Sequence, residues 1–548
     1  MTTSRPKRVF LTFSTSDWVG TRTRLYFRAL ECGWFDEVVT QDESVVPDEY
    51  KERLKEPFHG FYFWKPIAIY KELVRLGYGD ILVYADSGSD INLAGYLFFE
   101  EKMKKLSNTD ILAYGYTYLR QFCNPEILKD FNVSEEEAQK FPAPQAGQLY
   151  IRKTSASMRM VKEWMDYMLA NPDKIRMEFD RKGDIDGYVQ NRCDGSVLGC
   201  ILLNNKGHFE LERPNNDWGV NPHHMQELQL RSSECDILPT RKKFNYKPYV
   251  MFVIGQELPF FEKQYDEYTH FLNVGNSNLH RMTDNTGDSI HHLKGMAEQT
   301  GLYWIWKNVD LSHVKYIGVS THRKPFFASN DTLYKQMENG ANAIVNAYYQ
   351  QRKKTHLMAF DVSVYDDFVN TFAKYHPEEK DDFARHEECG MLFPSNSFVM
   401  KVEDFYKMCE FIFPVALDFA KRHEGEIGRS IDRISHAFPA GCMGEDLVSY
   451  YIMKHICTKL VPVPFVIYPK GEELFRAETQ PYGMIFGRCG NDFYPCGATP
   501  RTPAVIKTPN QYLDNGNFYP DEYKLRSLPN LIKSKSYPIQ KVDNQPKK

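Results

Sequence analysis

The sequence of 548 residues lacks several short motifs that identify common nucleotide-binding and catalytic sites. It contains no G-x-x-x-x-G-K-[ST] loop, no G-x-G-x-x-G and no G-x-S-x-G. The first two absences disfavour a P-loop and a Rossmann-type cofactor. Adjacent histidines occur at 223–224 and 291–292 without cysteine or histidine partners at metal-binding spacing, so they do not predict a zinc site.

The sequence also lacks paired cysteines, an excess of charge and long apolar runs. Its 11 cysteines include no C-x-x-C pair, which is typical of reduced thiols. The net charge of -4 provides no basic surface for nucleic acid. No run approaches the roughly 18 apolar residues of a membrane span, and residues 1–8 do not resemble a signal peptide. We therefore expect a soluble, cytoplasmic protein with no membrane span and no nucleic-acid partner.

The length of the chain predicts two domains and a tail, because it exceeds one ordinary hydrophobic core. Apolar segments alternate with helical patterns, from a strand at 9–13 to a buried strand at 81–84. This alternation predicts an α/β domain with a mostly parallel sheet. After a linker at 242–248, the same order of elements begins again. The predicted parts are a domain at 1–241, a domain at 249–470 and an irregular extension at 471–548.

The most informative segments are two aromatic clusters, each of which precedes an apolar strand. The cluster at 303–308 contains Trp304, Lys307 and Asn308, and the other cluster contains Lys65. Aromatic rings stack on flat faces, amides bind hydroxyl groups and cations neutralise phosphate, as a nucleotide-sugar site requires. Residues two apart point to different helix faces. We therefore expect one tryptophan of the first cluster in the core and the other against a ligand.

The predicted strand at 81–84 is followed by the acidic segment D-S-G-S-D at 86–90. Open α/β sheets bind ligands at the carboxyl ends of their strands. Asp86 and Asp90 are candidate ligands for a divalent cation that bridges a diphosphate. Alternatively, Asp86 holds a ribose hydroxyl while Gly88 lets the backbone approach the donor. The remaining interpretation is an ordinary Asp-Gly turn that caps the next helix.

Three segments of the N-terminal half match a known pattern. They are G-F-Y-F-W-K-P at 60–66, G-D-I-L-V-Y-A-D-S-G at 79–88 and N-R-C-D-G-S-V at 191–197. They resemble a set of predicted glycosyltransferases that read G-x-G-x-W-x-W-K-P, G-D-x-L-x-Y-x-D-x-G and H-R-x-D-Q-S. The third is also similar to the Asp-Gln of galactosyltransferases with a glycogenin-like fold. The resemblance implies that Asp194 lies near the transferred sugar, although Gly195 replaces the amide. Alternatively, Asp194 is a helix N-cap.

The C-terminal half contains longer matches. Its segments are D-N-T-G-D-S-I at 284–290, E-Q-T-G-L-Y-W-I-W-K-N at 298–308, Y-I-G-V-S-T-H-R-K-P-F-F at 316–327 and S-N-S-F-V-M-K at 395–401. They resemble a family of bacterial and viral capsular or O-antigen glycosyltransferases. The family reads D-x-x-G-D-N-I, E-L-T-x-x-Y-W-x-W-K-N, Y-x-G-L-x-H-Y-R-R-Y-F and N-M-F-I-M-K.

This second resemblance implies donor-binding roles for His322, Arg323 and Asn396. Thr321 stands where the family has histidine, so either the histidine has moved by one position or the chemistry differs. No clear D-x-D occurs in this half. Lys307 and Arg323 are therefore the cations expected to neutralise a diphosphate there.

A Gly-Glu-Asp segment precedes the last predicted helix of the C-terminal half. It resembles the acidic motif that carries the base in many inverting glycosyltransferases, and it contains Glu445 and Asp446. Inverting transfer needs a carboxylate to accept the proton of the acceptor hydroxyl. Asp446 is the first candidate for this base and Glu445 the second. Alternatively, both acids interact with the positive end of the helix dipole.

Together the resemblances imply an α/β fold with two GT-A-like, three-layer nucleotide-sugar transferase domains in tandem. We expect sugar transfer from a nucleoside diphosphate sugar to a glycan or glycoprotein acceptor, in one step or two. A divalent cation, Mn²⁺ or Mg²⁺, is expected in the N-terminal site and is left open in the C-terminal site. The alternatives are one active domain beside a degenerate glycan-binding domain, and a non-catalytic glycan-binding protein. Two further donor-binding candidates are Thr12, near the end of the first strand, and Arg22, in the first helix.

Overall fold

The chain divides into two compact units, Met1–Lys247 and Pro248–Lys548, in the computed structural model. The predicted boundaries at 241, 249 and 470 stay predictions. The structure describes residues 5–177, 188–212, 236–238, 243–258, 266–275, 281–322, 326, 328–345, 348–349, 352–389, 391–392, 396–428, 438–456, 460–462, 485–489 and 492–497.

The first unit contains a six-stranded sheet and a separate two-stranded pair in its described part. The sheet strands are β1 (Arg8–Phe13), β2 (Glu37–Gln41), β3 (Ile81–Ala85), β5 (Ile111–Tyr118), β6 (Pro142–Arg152) and β7 (Phe209–Glu212), and the pair is β4 (Asp90–Ile91) with β8 (Ile237–Leu238). The α-helical segments are α1 (Val19–Cys32), α2 (Pro57–Phe61), α3 (Trp64–Arg75), α4 (Tyr96–Lys105), α5 (Leu119–Phe122), α6 (Pro125–Asp130), α7 (Glu135–Lys140), α8 (Ser155–Ala170) and α9 (Asp194–Asn204). Short 3₁₀ segments are Ser16–Trp18, Glu43–Val45, Asp48–Lys55 and Leu93–Gly95.

The order of strands in this sheet is β2-β1-β3-β6-β5-β7. Strand β1 is parallel to β2 and β3, and β5 is parallel to β7. Strand β6 is antiparallel to both of its neighbours, β3 and β5. All strands except β6 therefore run in one direction, and the predicted mostly parallel sheet is confirmed.

Helices cover both faces of this sheet, because side chains of a strand alternate between its faces. On β3, Val83 packs with residues of α1 and α4, whereas Leu82 and Tyr84 pack with residues of α3, α8 and α9. All three side chains are fully buried. Burying an aliphatic side chain of this size contributes about 1.5–3 kcal/mol. The first unit is thus a three-layer α/β structure with apolar cores on both sides of the sheet.

The second unit contains its own six-stranded sheet and two short pairs in its described part. The sheet strands are β9 (Tyr249–Gly255), β10 (Thr269–Asn273), β11 (Tyr316–Thr321), β12 (Ala343–Val345), β15 (Phe398–Lys401) and β16 (Leu460–Pro462), and the pairs are β13 (Tyr348–Tyr349) with β14 (Met391–Leu392) and β17 (Ile485–Cys489) with β18 (Asp492–Gly497). The α-helices are α10 (Gln299–Asn308), α11 (Asn330–Glu338), α12 (Arg352–Ala359), α13 (Val362–Tyr375), α14 (Lys380–Cys389), α15 (Val402–Arg422) and α16 (Pro439–Tyr451). Further helical segments are Lys294–Met296, Pro377–Glu379 and the π-helix Ile452–Ile456.

The second sheet has the same topology as the first. Its order is β10-β9-β11-β15-β12-β16, and β15 alone among these strands is antiparallel to its neighbours. Counted along the chain within each sheet, both orders read second, first, third, fifth, fourth, sixth. The architectural repeat expected from the order of sequence elements is therefore present in the two sheets, and the predicted α/β class is confirmed in both units.

The shared topology identifies equivalent helices in the two units. Helix α3 precedes the third sheet strand of the first unit, as α10 does in the second. Helix α9 precedes the last sheet strand of the first unit, as α16 does in the second. Asp194 lies in α9 and Asp446 in α16, so these two predicted catalytic acids occupy equivalent helices. Within the described ranges, no helix is both long and apolar enough to cross a membrane.

Candidate active site

The first unit brings three predicted site residues together around one ammonium group. Lys65 Nζ lies 3.1 Å from Asp86 Oδ1 and 2.6 Å from Asp194 Oδ2. The side chains of Lys65 and Asp194 are buried, at 3% and 9% exposure, whereas Asp86 is 43% exposed. One carboxylate of this cluster therefore faces solvent while the other two charges are enclosed. We call Lys65, Asp86 and Asp194 the lysine–carboxylate cluster.

Three elements position the lysine–carboxylate cluster. Lys65 lies in the first turn of α3, Asp86 follows the last residue of β3, and Asp194 is the first residue of α9. The Asp86 backbone N–H donates to the Gly147 carbonyl on the neighbouring strand β6, at 2.9 Å. A Cβ atom at Gly147 would lie 2.6 Å from Asp86 Oδ2, so a side chain there would displace the carboxylate. The cluster lies at the carboxyl end of β3, where open α/β sheets bind ligands.

The charged groups of the cluster shift one another's pKa values. Burial alone would lower the pKa of Lys65, but the nearby charges of Asp194 and Asp86 raise it above its ordinary value. Burial raises the pKa of Asp194, and the charge of Lys65 opposes that shift. Burial also raises the pKa of Tyr62 to about 12, with the Asp194 charge acting in the same direction. Lys65 therefore stays protonated across the neutral range and holds two carboxylates.

Aromatic side chains surround the ammonium group of Lys65. Its Nζ lies 5.2 Å from the ring centre of Tyr62, 5.9 Å from Trp64 and 5.7 Å from Tyr84. The Tyr84 hydroxyl also donates to Asp86 Oδ1, at 2.7 Å. Ring faces attract cations, most strongly where water is excluded. Tyr62 and Tyr84 fall inside the sequence segments that resemble glycosyltransferases, but no role was predicted for either.

The segment before this cluster has an unusual backbone. Residues 58–62 all have positive φ, between 52° and 79°, and four of them are not glycine. The left-handed conformation costs roughly 1–2 kcal/mol for each such residue. Strain of this kind persists only where the surrounding structure enforces it, and it concentrates at functional sites. Its position directly before Trp64 and Lys65 supports a functional role for the cluster.

The second predicted cation ligand of this unit, Asp90, already has two cationic partners. Asp90 Oδ2 lies 2.6 Å from Arg24, and Oδ1 lies 3.5 Å from Arg28. Gly88 is buried between the two acidic positions. A shared cation at Asp86 and Asp90 stays a prediction, and it would require the arginines to release Asp90. The residues present fit a cation bound through Asp86 better, because this carboxylate is half-exposed.

The other two donor-binding candidates of the first unit lie near the ends of β1 and β2. Thr12 is fully buried in β1, and its hydroxyl has no hydrogen-bond partner among the described residues. Arg22 is 3% exposed, donates to the Gln41 carbonyl at 2.7 Å and lies 3.7 Å from Asp42. The donor-binding roles of Thr12 and Arg22 stay predictions.

The two tryptophans of the second unit lie in different environments, as expected for positions two apart on a helix. Trp304 is buried, and its indole N–H donates to the Thr286 carbonyl at 2.8 Å. Trp306 is partly exposed and stacks on Phe413 with ring centres 5.5 Å apart. Lys307 Nζ lies 3.4 Å from the centre of the Trp306 ring. Trp304 therefore holds a loop, and Trp306 with Lys307 forms a partly exposed cationic and aromatic surface.

Asn308 connects α10 to the loop that precedes it. Its Oδ1 accepts a hydrogen bond from the Asp288 N–H at 2.8 Å, and its Nδ2 donates to the Asp288 and Trp304 carbonyls at 2.8 and 3.0 Å. A Cβ atom at Gly287, which has a φ of 62°, would lie 2.1 Å from Asn308 Oδ1. The amide is thus used within the protein in this structure.

We expect Asn308→Ala to destabilise the second unit by roughly 1–2 kcal/mol, because three hydrogen bonds are lost. Urea unfolding measures this change, and Asn285→Ala, at an exposed position of the same loop, is the matched control. Equal stability of the two variants would contradict the structural role and favour the predicted donor-binding role.

The three remaining candidates, His322, Arg323 and Asn396, lie after β11 and before β15. His322 follows β11, and its backbone N–H donates to the Ile254 carbonyl at 2.9 Å. Arg323 lies outside the described residues. Asn396 is 1% exposed with a φ of 50°, and neither polar atom of its side chain has a partner among the described residues. A buried, unpaired amide is costly, so Asn396 remains a candidate for ligand contact.

The predicted base Asp446 is enclosed in a buried network. Its side chain is fully buried, Arg352 Nε donates to one carboxylate oxygen, and His356 Nε2 bonds to the other. Burial would raise the pKa of Asp446, but the charge of Arg352 and the contact with His356 hold it below its usual value. Glu445 is 19% exposed and lies 3.8 Å from Arg352. The geometry makes Glu445 the more accessible of the two candidates for the base.

The same network contains residues that the sequence did not single out. His356 lies in α12 and Glu387 in α14, and both are buried beside Asp446. Burial lowers the pKa of His356 and, aided by the Asp446 charge, raises that of Glu387. In the sequence, Glu387 follows His356 by 31 positions and Asp446 follows it by 90 positions. Motif spacing along the chain carries no signal for such a cluster.

Comparison with known protein families gives one partial match. A family model described as "Domain of unknown function (DUF4422)" matches residues 261–456. This range covers less than half of the 548-residue chain. No curated protein matches the chain.

Several solved glycosyltransferase structures resemble part of the chain. The apo structure of WbbM, a bifunctional glycosyltransferase, is 15% identical, with 40% of this chain and 45% of that chain covered and a TM-score of 0.33. Mouse xyloside xylosyltransferase 1 is 10% identical, with 38% and 85% covered and a TM-score of 0.24. The galactosyltransferase LgtC, in complex with donor and acceptor sugar analogs, is 10% identical, with 43% and 84% covered and a TM-score of 0.23. The chain thus spans less than half the length of WbbM.

Proposed function

We propose that the protein is a glycosyltransferase that moves a sugar from a nucleoside diphosphate sugar to a carbohydrate acceptor. The observation that carries this proposal is the lysine–carboxylate cluster at the carboxyl edge of the first sheet, where Lys65 contacts both Asp86 and Asp194. The three residues come from the three sequence segments that resemble glycosyltransferases. A buried acid next to a half-exposed acid is also an arrangement suited to chemistry at a sheet edge.

Each residue of the cluster has a distinct role in this proposal. Asp86, which is 43% exposed, contacts the donor and would hold a divalent cation there. That cation would neutralise charge on the leaving diphosphate. Asp194 carries the charge next to the transferred sugar. Lys65 is a positioning residue, because it is buried and both of its ionic partners belong to the protein.

The second unit supports two candidate roles. The shared topology and the exposed surface of Trp306 and Lys307 favour a second transferase site, with Glu445 as its base and two consecutive transfers by one chain. The burial of Asp446 between Arg352 and His356 favours the alternative of a non-catalytic domain that binds the acceptor glycan. In the second case the chain has one transferase activity, in the first unit.

A binding experiment tests the proposal without knowledge of the acceptor. The melting temperature is measured with a panel of nucleoside diphosphates and their sugars, with and without Mn²⁺. A ligand that binds the native state at 100 times its Kd stabilises it by about 2.7 kcal/mol. We expect stabilisation in the wild type and in the control Asp48→Asn, whose aspartate is 93% exposed, and a reduced effect in Asp86→Asn. No stabilisation by any nucleotide would contradict the proposal.

A further inference from the structure

Three helices of the second unit bring potential metal ligands to one buried point. His356 of α12, Glu387 of α14 and Asp446 of α16 each offer one ligand atom, and these atoms all lie within 4.8 Å of one another. The exposed fraction of each residue is 1% or less. Metal–ligand bonds of about 2.0–2.2 Å place neighbouring ligand atoms roughly 3–4 Å apart. Small side-chain adjustments would therefore bring these three atoms into one coordination sphere.

Glu387 is the observation that points to a missing ligand. It is fully buried, and neither of its carboxylate oxygens has a partner in good hydrogen-bond geometry among the described residues, although the Tyr365 hydroxyl lies close enough to interact with the carboxylate. His356 Nε2 lies 4.0 Å from Glu387 Oε2, beyond hydrogen-bond distance. Burying a carboxylate without a cation in contact is costly, and buried charges are paired or coordinate metals. The oxygens of Glu387 face a histidine and an aspartate, which are common metal ligands.

The charges around this point are also unbalanced. Asp446, Glu387 and Glu445 are acids, and Arg352 is the cation that contacts two of them. In the ionised form that metal coordination requires, and with His356 neutral, Asp446, Glu387, Glu445 and Arg352 sum to −2, while the nearby Lys353 pairs with Glu388. A divalent cation would bring that sum to zero.

The two units differ in what balances the acid of the equivalent helix, Asp194 in α9 or Asp446 in α16. Lys65, in the first turn of α3, supplies a positive charge to Asp194 of α9. The equivalent helix α10 begins instead with Gln299, a neutral and fully buried residue. A Cβ atom at Gly444, in α16 beside Asp446, would lie 1.2 Å from Gln299 Nε2. The neutral amide of Gln299 thus lies against α16 in the second unit, whereas the charged Lys65 lies against α9 in the first.

We propose that His356, Glu387 and Asp446 bind a divalent transition-metal ion, such as Zn²⁺ or Mn²⁺, in the second unit. An imidazole with two carboxylates suits these ions better than Ca²⁺ or Mg²⁺, which prefer oxygen ligands alone. The Asp446 oxygen that bonds to Arg352 would keep that bond, as ligating carboxylates commonly do. The ion links α12, α14 and α16 and so stabilises the unit. The inference does not depend on the proposed transferase activity.

Metal content and melting temperature test this site on the full-length protein, produced without a histidine tag. The chelator-treated protein is titrated with Zn²⁺, Mn²⁺ or, as a comparison, Ca²⁺ in the absence of nucleotide. We expect about one equivalent of bound transition metal and a rise in melting temperature, because the ion binds the native state. Glu387→Gln should weaken binding at least tenfold. The matched control is Glu388→Gln, at an exposed neighbour, which should bind as the wild type does.

Two further variants show which site binds the metal and whether the loss of binding is specific. Asp86→Asn removes the candidate cation ligand of the first unit, so metal that this variant still binds is assigned to the site in the second unit. His356→Gln should weaken binding as Glu387→Gln does, and circular dichroism verifies that both variants are folded. Absence of bound metal in the wild type, or equal binding by wild type, Glu387→Gln and His356→Gln, would overturn the proposal. The same conclusion would follow if Glu387→Gln raised the stability of the chelator-treated protein and metal raised it no further.

Discussion

Replacing Lys65 with methionine is expected to destabilise the first unit by about 3–5 kcal/mol, which is the usual cost of removing one partner from a buried ion pair. Methionine keeps most of the volume of the lysine stem, so packing against Tyr62, Trp64 and Tyr84 is largely preserved. The loss comes from Asp194, which is 9% exposed and would keep its charge without its cation. Urea unfolding of the full-length protein measures the change.

The pH dependence of this variant separates charge from packing. In Lys65→Met the buried Asp194 would have a folded-state pKa above its unfolded value. Stability from a group of this kind is present below the unfolded pKa and is lost as the pH rises through the folded pKa. The deficit relative to wild type should therefore shrink from pH 7 to pH 4. The matched control is Lys162→Met, at a surface pair with Asp166. A deficit independent of pH, or as small as that of the control, would contradict a buried charge pair.

Asp194→Asn is expected to lower sugar transfer or donor hydrolysis by about 100-fold or more, which is the usual effect of removing one group that stabilises charge in an active site. Asparagine has nearly the same shape as aspartate, and its carbonyl oxygen can still accept a hydrogen bond from Lys65. Removing the charge therefore isolates the electrostatic role proposed next to the transferred sugar. Steady-state rates at saturating donor measure the effect.

The control for Asp194→Asn is Asp166→Asn, which is exposed and pairs with Lys162 on the same unit. Melting temperatures should stay close to the wild-type value in both variants, since neither creates an unpaired buried charge. Activity of Asp194→Asn within a few-fold of wild type would contradict the catalytic role and leave Asp194 as a structural partner of Lys65 at the start of α9, whose N-cap is Cys193. If Asp194→Asn is both less active and partly unfolded, the rate is divided by the folded fraction to separate the two effects.

The sequence predicted the α/β class and the mostly parallel sheet because apolar strands and amphipathic helices differ in period. It also selected Lys65, Asp86 and Asp194, which lie up to 129 positions apart, taking 194 minus 65. Each of them falls in a segment that resembles a glycosyltransferase motif. The structure adds that the three side chains contact one another, which no local pattern specifies.

Other features of the sites depend on packing that local sequence does not encode. Asp90 was a candidate cation ligand by its spacing from Asp86, but Arg24 and Arg28 of α1 lie against it in the folded unit. Asp446 was a candidate base by its motif, and the long-range contacts with Arg352 and His356 enclose it. Such ion pairs join elements that are distant in sequence, so they are decided by tertiary structure rather than by motif.

The most direct test of the account is nucleotide release from a panel of nucleoside diphosphate sugars by the purified wild-type protein, with Asp86→Asn and Asp48→Asn measured in parallel. The account predicts release from at least one donor, a large loss in Asp86→Asn and wild-type activity in Asp48→Asn. If Asp86→Asn still releases nucleotide at the wild-type rate, the transferase site is assigned to the second unit. Absence of release from every donor, together with no nucleotide binding, would contradict the transferase proposal and favour a glycan-binding protein.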